Sequence, residues 1–191
     1  LSAYGITSAM PAQMRISHFK FAGNRVDYFR KAGTIFLNLT NPEVSTISNN
    51  FFYHTQTAFI QLLSTLYQSG NNKIFGNVFY GGYDVAYENA IRVTALAGNS
   101  TYTSASGEVF SWGNQWFGDP ANDETYYAWN LTALGTYSNV VGVNSQGDRY
   151  EGTEVLTCSG YSSSYYSSGG IFKGNKIQHQ AIGITFILNA Y

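Results

Sequence analysis

The chain has 191 residues, 17% of them aromatic and only 11% charged, with a formal net charge of −1. That length supports one domain with a sizeable core, and the near-zero charge excludes a strongly basic nucleic-acid binder. A single cysteine, Cys158, excludes an internal disulfide framework and every multi-cysteine zinc pattern.

Taken in chain order, residues 1–14 read as a shaft-end or linker segment, with Pro11 marking entry to a main domain over 15–191. The chain opens on Leu1 rather than Met, as a fragment of something longer would. Runs rich in Val, Ile, Thr, Tyr and Phe predict strands at Arg15–Phe21 and Thr34–Leu39. Ala58, Phe59, Leu62, Leu63, Leu66 and Tyr67 then recur on one helical face, which predicts a helix near 55–68, with Thr55 or Thr57 as cap and Gly70 as stop. Further strands are predicted at Ile74–Tyr80, Ala90–Leu96, Glu108–Trp112, Thr125–Leu131, Asn139–Val143, Thr153–Cys158 and Gln180–Leu188. Gly81-Gly82, Gly98-Asn99, Gly147-Asp148 and Gly169-Gly170 supply turns between them.

This pattern predicts a mostly β domain, sandwich-like or barrel-like, with one helix. No repeat of roughly 20 to 50 residues is visible, so solenoids and propellers are not expected. No apolar run approaches the roughly 20 residues of a transmembrane helix, and no basic-then-apolar signal peptide is visible. So uncharged a surface suits a protein covered by oligomer contacts, or one whose exposed face binds polar ligands through Tyr, Ser, Gly and Asn. Such binding is expected to depend little on salt.

Three clusters are candidate ligand sites. The segment Phe110–Trp129 holds all three tryptophans, Trp112, Trp116 and Trp129, around a polar loop with Asp119, Asn122, Asp123 and Glu124, followed by Tyr126. Aromatic faces stack on the C–H face of a pyranose while Asn and Asp bond vicinal hydroxyls, so this mixture points to sugar recognition. Tyr161, Tyr165 and Tyr166 project from a Ser/Gly background, and Tyr80 and Tyr83 flank Gly81-Gly82. Core packing is the competing reading for Trp112, Trp116 and Trp129. No metal or cofactor is expected, because His18, His54 and His179 are far apart and the Asp119, Asp123, Glu124 group lacks EF-hand spacing. Asp148, Glu151 and Glu154, with the same acidic loop, are the candidate carboxylates for a glycan hydrolase. Cys158 reads as a small buried hydrophobe.

Leu1-Ser2-Ala3-Tyr4-Gly5-Ile6-Thr7-Ser8-Ala9 resembles a segment of tail-fibre proteins of tailed phages and prophages, with Ser8 where that family carries Asp. The resemblance implies a receptor-binding fibre tip, an intertwined homotrimer on the virion tail fibre. It further implies binding to a bacterial surface glycan of lipopolysaccharide type, or to an outer-membrane protein, and for many such fibres a dedicated assembly chaperone. Two alternatives stand beside it: a fibre-borne polysaccharide hydrolase or esterase, and a trimerisation module with no ligand of its own.

Overall fold

Every strand pairing among the described residues is parallel, and each strand bonds to the strand four places along the chain. The computed structural model describes residues 4–8, 15–29, 35–55, 58–65, 68–81, 88–96, 104–118, 126–134, 138–140, 142–160, 166–167, 170–178 and 184–188. The first coil is β1 (Tyr4–Ser8), β2 (Ile16–Ser17), β3 (Lys20–Ala22) and β4 (Arg25–Phe29), and the second is β5 (Ile35–Thr40), β6 (Pro42–Glu43), β7 (Thr46–Ser48) and β8 (Phe51–Thr55). The third is β9 (Ala58–Ser64), β10 (Gln68–Ser69), β11 (Asn72–Phe75) and β12 (Val78–Tyr80). The fourth is β13 (Glu88–Ala95), β14 (Ser104–Ser106), β15 (Val109–Trp112) and β16 (Gln115–Phe117). The fifth is β17 (Tyr126–Ala133), β18 (Ser138–Val140), β19 (Val143–Gln146) and β20 (Arg149–Glu151). The sixth is β21 (Glu154–Gly160), β22 (Tyr166–Ser167), β23 (Gly170–Lys173) and β24 (Lys176–Gln178), after which β25 (Ile184–Leu188) begins a seventh.

The chain therefore winds as a parallel β-solenoid, which corrects the expectation against solenoids drawn from the lack of a visible repeat. Its long walls are three ladders: β1-β5-β9-β13-β17-β21-β25, β3-β7-β11-β15-β19-β23 and β4-β8-β12-β16-β20-β24. The β-rich expectation is met. In place of the antiparallel hairpins of a sandwich or barrel, each coil stacks on the one before.

The helix expected near 55–68 is corrected to strand: Thr55 ends β8, and Ala58–Ser64 is β9. Residues 56–57 and 66–67 lie outside the described residues. In β9, Ile60, Leu62 and Ser64 are buried while Gln61 and Leu63 are half-buried, the two-residue alternation of a strand. Ile60 and Leu62 sit between Leu37 and Leu39 of β5 on one side and Ile91 and Val93 of β13 on the other. A strand paired on both edges and packed into an interior tolerates an almost continuous apolar run, and that run mimics a helical face.

The corner between the second and third walls shows why the coils stay in register. There the backbone turns through a left-handed residue, Gly23, Asn49, Gly76, Gly113, Gly147 or Gly174, with φ of 71°, 55°, 63°, 64°, 67° and 63°. Only glycine, or asparagine at some cost, adopts this readily. The next residue is Asn24, Asn50, Asn77, Asn114, Asp148 or Asn175, and these side chains form a ladder. Asn50 donates from its backbone N–H and its Nδ2 to Asn77 Oδ1, both at 2.9 Å. Asn77 does the same to Asn114 Oδ1 at 3.0 Å. The spare Nδ2 proton reaches back one coil, from Asn50 to Phe21 O, Asn77 to Ile47 O and Asn114 to Ile74 O. Each carboxamide has both a donor and an acceptor, so identical groups at the coil spacing satisfy one another.

Inside the solenoid, Phe52, Phe79, Trp116 and Tyr150 stack face to face, with successive centroids 5.0, 5.2 and 4.6 Å apart and planes within 12°. All four are buried. At the fifth coil the ladder carries an acid. Asp148 accepts from Asn114 N at 2.8 Å, and its other oxygen accepts from the hydroxyls of Ser111 at 2.6 Å and Ser145 at 2.7 Å. Ser111 and Ser145 hold the inward positions that Ile47 and Ile74 hold in earlier coils, so the acid and its donors occur together. Ser145 also bonds the Tyr150 hydroxyl, which accepts from Trp129 Nε1 at 3.1 Å.

Two outcomes follow from the ladder. Asn77→Ala strands the amide of Asn50 and the carbonyl of Ile47 in the interior, and urea unfolding is expected to show a loss of about 3 kcal/mol. Burial raises the Asp148 carboxyl above its ordinary range, opposed by its bonds from Ser111, Ser145 and Asn114. A carboxyl raised on folding holds its proton more tightly in the native state, so its contribution favours the fold most in acid. That contribution declines as pH rises from the unfolded value of about 3.9 to the higher native one, and is constant above it. Unfolding measured across this range is expected to show that decline in the native sequence and not in Asp148→Asn.

Candidate functional site

Alternation along the second wall divides its residues into two sets. Ile47, Ile74, Ser111 and Ser145 face inward and are buried. The residues between them face solvent in two columns: Lys73, Phe110 and Asn144 in one, and Phe75, Trp112 and Gln146 in the other, each column in register across β11, β15 and β19. Trp112 is 40% exposed, and its ring stacks on Phe75 with centroids 4.5 Å apart and planes 7° from parallel. Together Lys73, Phe110, Ser111, Trp112, Asn144 and Gln146 line a shallow groove of about 310 Å³. Its floor is aromatic, its margins are carboxamides that both donate and accept, and one cation stands at its edge.

Of the sequence-predicted site residues, Trp112 lies in this groove. Trp116 is 0% exposed, in the interior stack, and Trp129 is buried with its indole N–H bonded to Tyr150. Neither can meet a ligand while the coils are closed. Trp112 and Trp116 part company because the corner Gly113-Asn114 and the first residue of β16, Gln115, separate them, which turns one outward and the other inward. Tyr80 lies on the neighbouring third wall, half-buried, with its ring 5.5 Å from Tyr53 and 5.7 Å from Phe117. Tyr126 starts β17, and Tyr166 pairs with Asn139 in the β18–β22 ladder. Asp119, Asn122, Asp123, Tyr83, Tyr161 and Tyr165 lie outside the described residues.

Lys73, Phe75, Asn144 and Gln146 share this face and are not among the candidates named from the sequence. The signal was present: Phe75, Trp112 and Gln146 each immediately precede the glycine of a corner. Aligning the chain on those corners brings them into one column.

Of the carboxylates suggested for hydrolysis, Asp148 and Glu151 do not share a cleft. Asp148 points into the interior, while Glu151 lies on the outer side of the third wall, paired with Arg149. Glu154 begins β21. Cys158 is buried on β21 between Leu131 and Phe186, and burial pushes its thiol up to about 12, which leaves it unreactive at neutral pH. No group of three His, Cys, Asp or Glu side chains gathers among the described residues. Comparison with protein-family models, with characterised proteins and with solved structures finds no match to this chain.

Proposed function

We propose that this chain is the receptor-binding module of a phage or prophage tail fibre, attaching to a bacterial surface glycan of lipopolysaccharide type by reversible adhesion. The observation that carries the reading is the outward Phe75–Trp112 stack beside Asn144 and Gln146. An exposed tryptophan face offers a pyranose ring its apolar contact, and carboxamides on the flanking coil offer both senses of hydrogen bond to its hydroxyls. A groove of this volume lies at the small end of ligand sites and suits a short saccharide segment. The tail-fibre assignment rests on the resemblance of Leu1–Ala9.

A weak, shallow site of this kind gains strength from repetition. Several copies held together raise the effective concentration of each site at the host surface. A homotrimer on the virion tail fibre supplies those copies. Light scattering of the purified chain is then expected to give three times the 21.1 kDa monomer mass, stable to dilution; a monomer at all concentrations would remove this mechanism.

The site itself is tested by Trp112→Ala. Loss of its stack on Phe75 is expected to cost about 1 kcal/mol of stability and leave the fold intact. Binding to purified lipopolysaccharide of a susceptible host, read by biolayer interferometry, is expected to fall about tenfold or more. Unchanged binding would move the ligand site elsewhere.

A further inference from the structure

We infer that the saccharide taken by this face is acidic, its carboxylate or phosphate group paired with the Lys73 ammonium while a ring stacks on Trp112; this rests on the saccharide reading above. None of the six strands of the second wall contains Asp or Glu. Three of them carry lysines, Lys20, Lys73 and Lys173, all exposed. The chain as a whole has Lys+Arg 10 against Asp+Glu 11, so a wall with cations and no acid departs from its composition. Glu108 lies one residue before β15, beyond the strand.

The third wall carries acids beside its arginines, and only its lysine, Lys176, has no ion pair among the described residues. There Arg25 pairs with Asp27 at 2.6 Å and Arg149 pairs with Glu151, so each arginine has its acid two residues along the same strand. Lys73 makes no ion pair among the described residues, and it stands at the groove, in register with Phe110. An ammonium beside aromatic rings and an apolar wall is less well screened than one in open water, so an anion meeting it there gains more than at an ordinary surface site. Asn144, on the far side of Phe110 in the same column, is left to bond sugar hydroxyls. Charge on this face reverses the salt indifference that the low overall charge predicts.

The test uses the purified full chain and two oligosaccharide panels matched in ring type and length, one neutral and one carrying uronate or phosphate groups. Binding is titrated by calorimetry at about 50 and about 300 mM NaCl, either side of physiological screening, for the native sequence, Lys73→Gln, Lys73→Arg and Trp112→Ala. Melting temperatures confirm that each variant folds. Binding is expected within the acidic panel, weakened severalfold by salt, about tenfold weaker in Lys73→Gln and largely kept in Lys73→Arg. The uronate and phosphate members separate the two sources of the anion. Equal binding of neutral members, unaffected by Lys73→Gln or salt, would overturn the acidic ligand and leave the saccharide reading intact. Binding to neither panel would overturn the saccharide reading itself, and this inference with it.

Discussion

The asparagine ladder at one corner is the constraint on which the rest of this solenoid depends. A strand ladder alone permits slippage by two residues, because the backbone pattern repeats and inward residues remain inward. A buried carboxamide permits no such shift: displaced from its neighbour, it leaves Asn50 N–H, Ile47 O or Ile74 O without a partner in the interior. The left-handed residue before each carboxamide sets the bend, and the ladder sets the height. With one corner fixed in every coil, the flanking walls are fixed as well, and the Phe52–Phe79–Trp116–Tyr150 stack follows from that alignment.

A wall held in this way is a rigid support for the residues on its outer side. Phe75 and Trp112 stack because their strands are in register, and they are in register because Asn77 and Asn114 lie two residues further on. The groove is thus a consequence of the same corner that orders the core. Its residues sit on strands rather than on loops, so the backbone beneath the aromatic floor, the carboxamides and the lysine is already ordered.

Strand content and the burial of Cys158 were legible in the sequence. The coiled architecture was not, although its marker was there. Successive ladder residues are separated by 26, 27, 37, 34 and 27 residues, because insertions between coils vary while the corner does not. A search for a fixed period therefore averages the signal away, and Gly147-Asp148 looks like an isolated turn. The supposed helix fails for a related reason: Ala58–Ser64 is packed by Leu37, Leu39, Ile91 and Val93, residues far along the chain. Trp112 and Trp116 have similar local surroundings, and only the corner between them sends one outward and the other inward.

The outward face as a saccharide platform is tested most directly by the fluorescence of Trp112, since Trp116 and Trp129 are buried and shielded from solvent quenchers. Acrylamide quenching is measured with and without lipopolysaccharide from a susceptible host, in the native sequence and in Trp112→Phe. The account predicts that the glycan protects a quenchable component of the native emission, and that this component is missing from Trp112→Phe. Binding of the glycan with Trp112 as quenchable as before would contradict it.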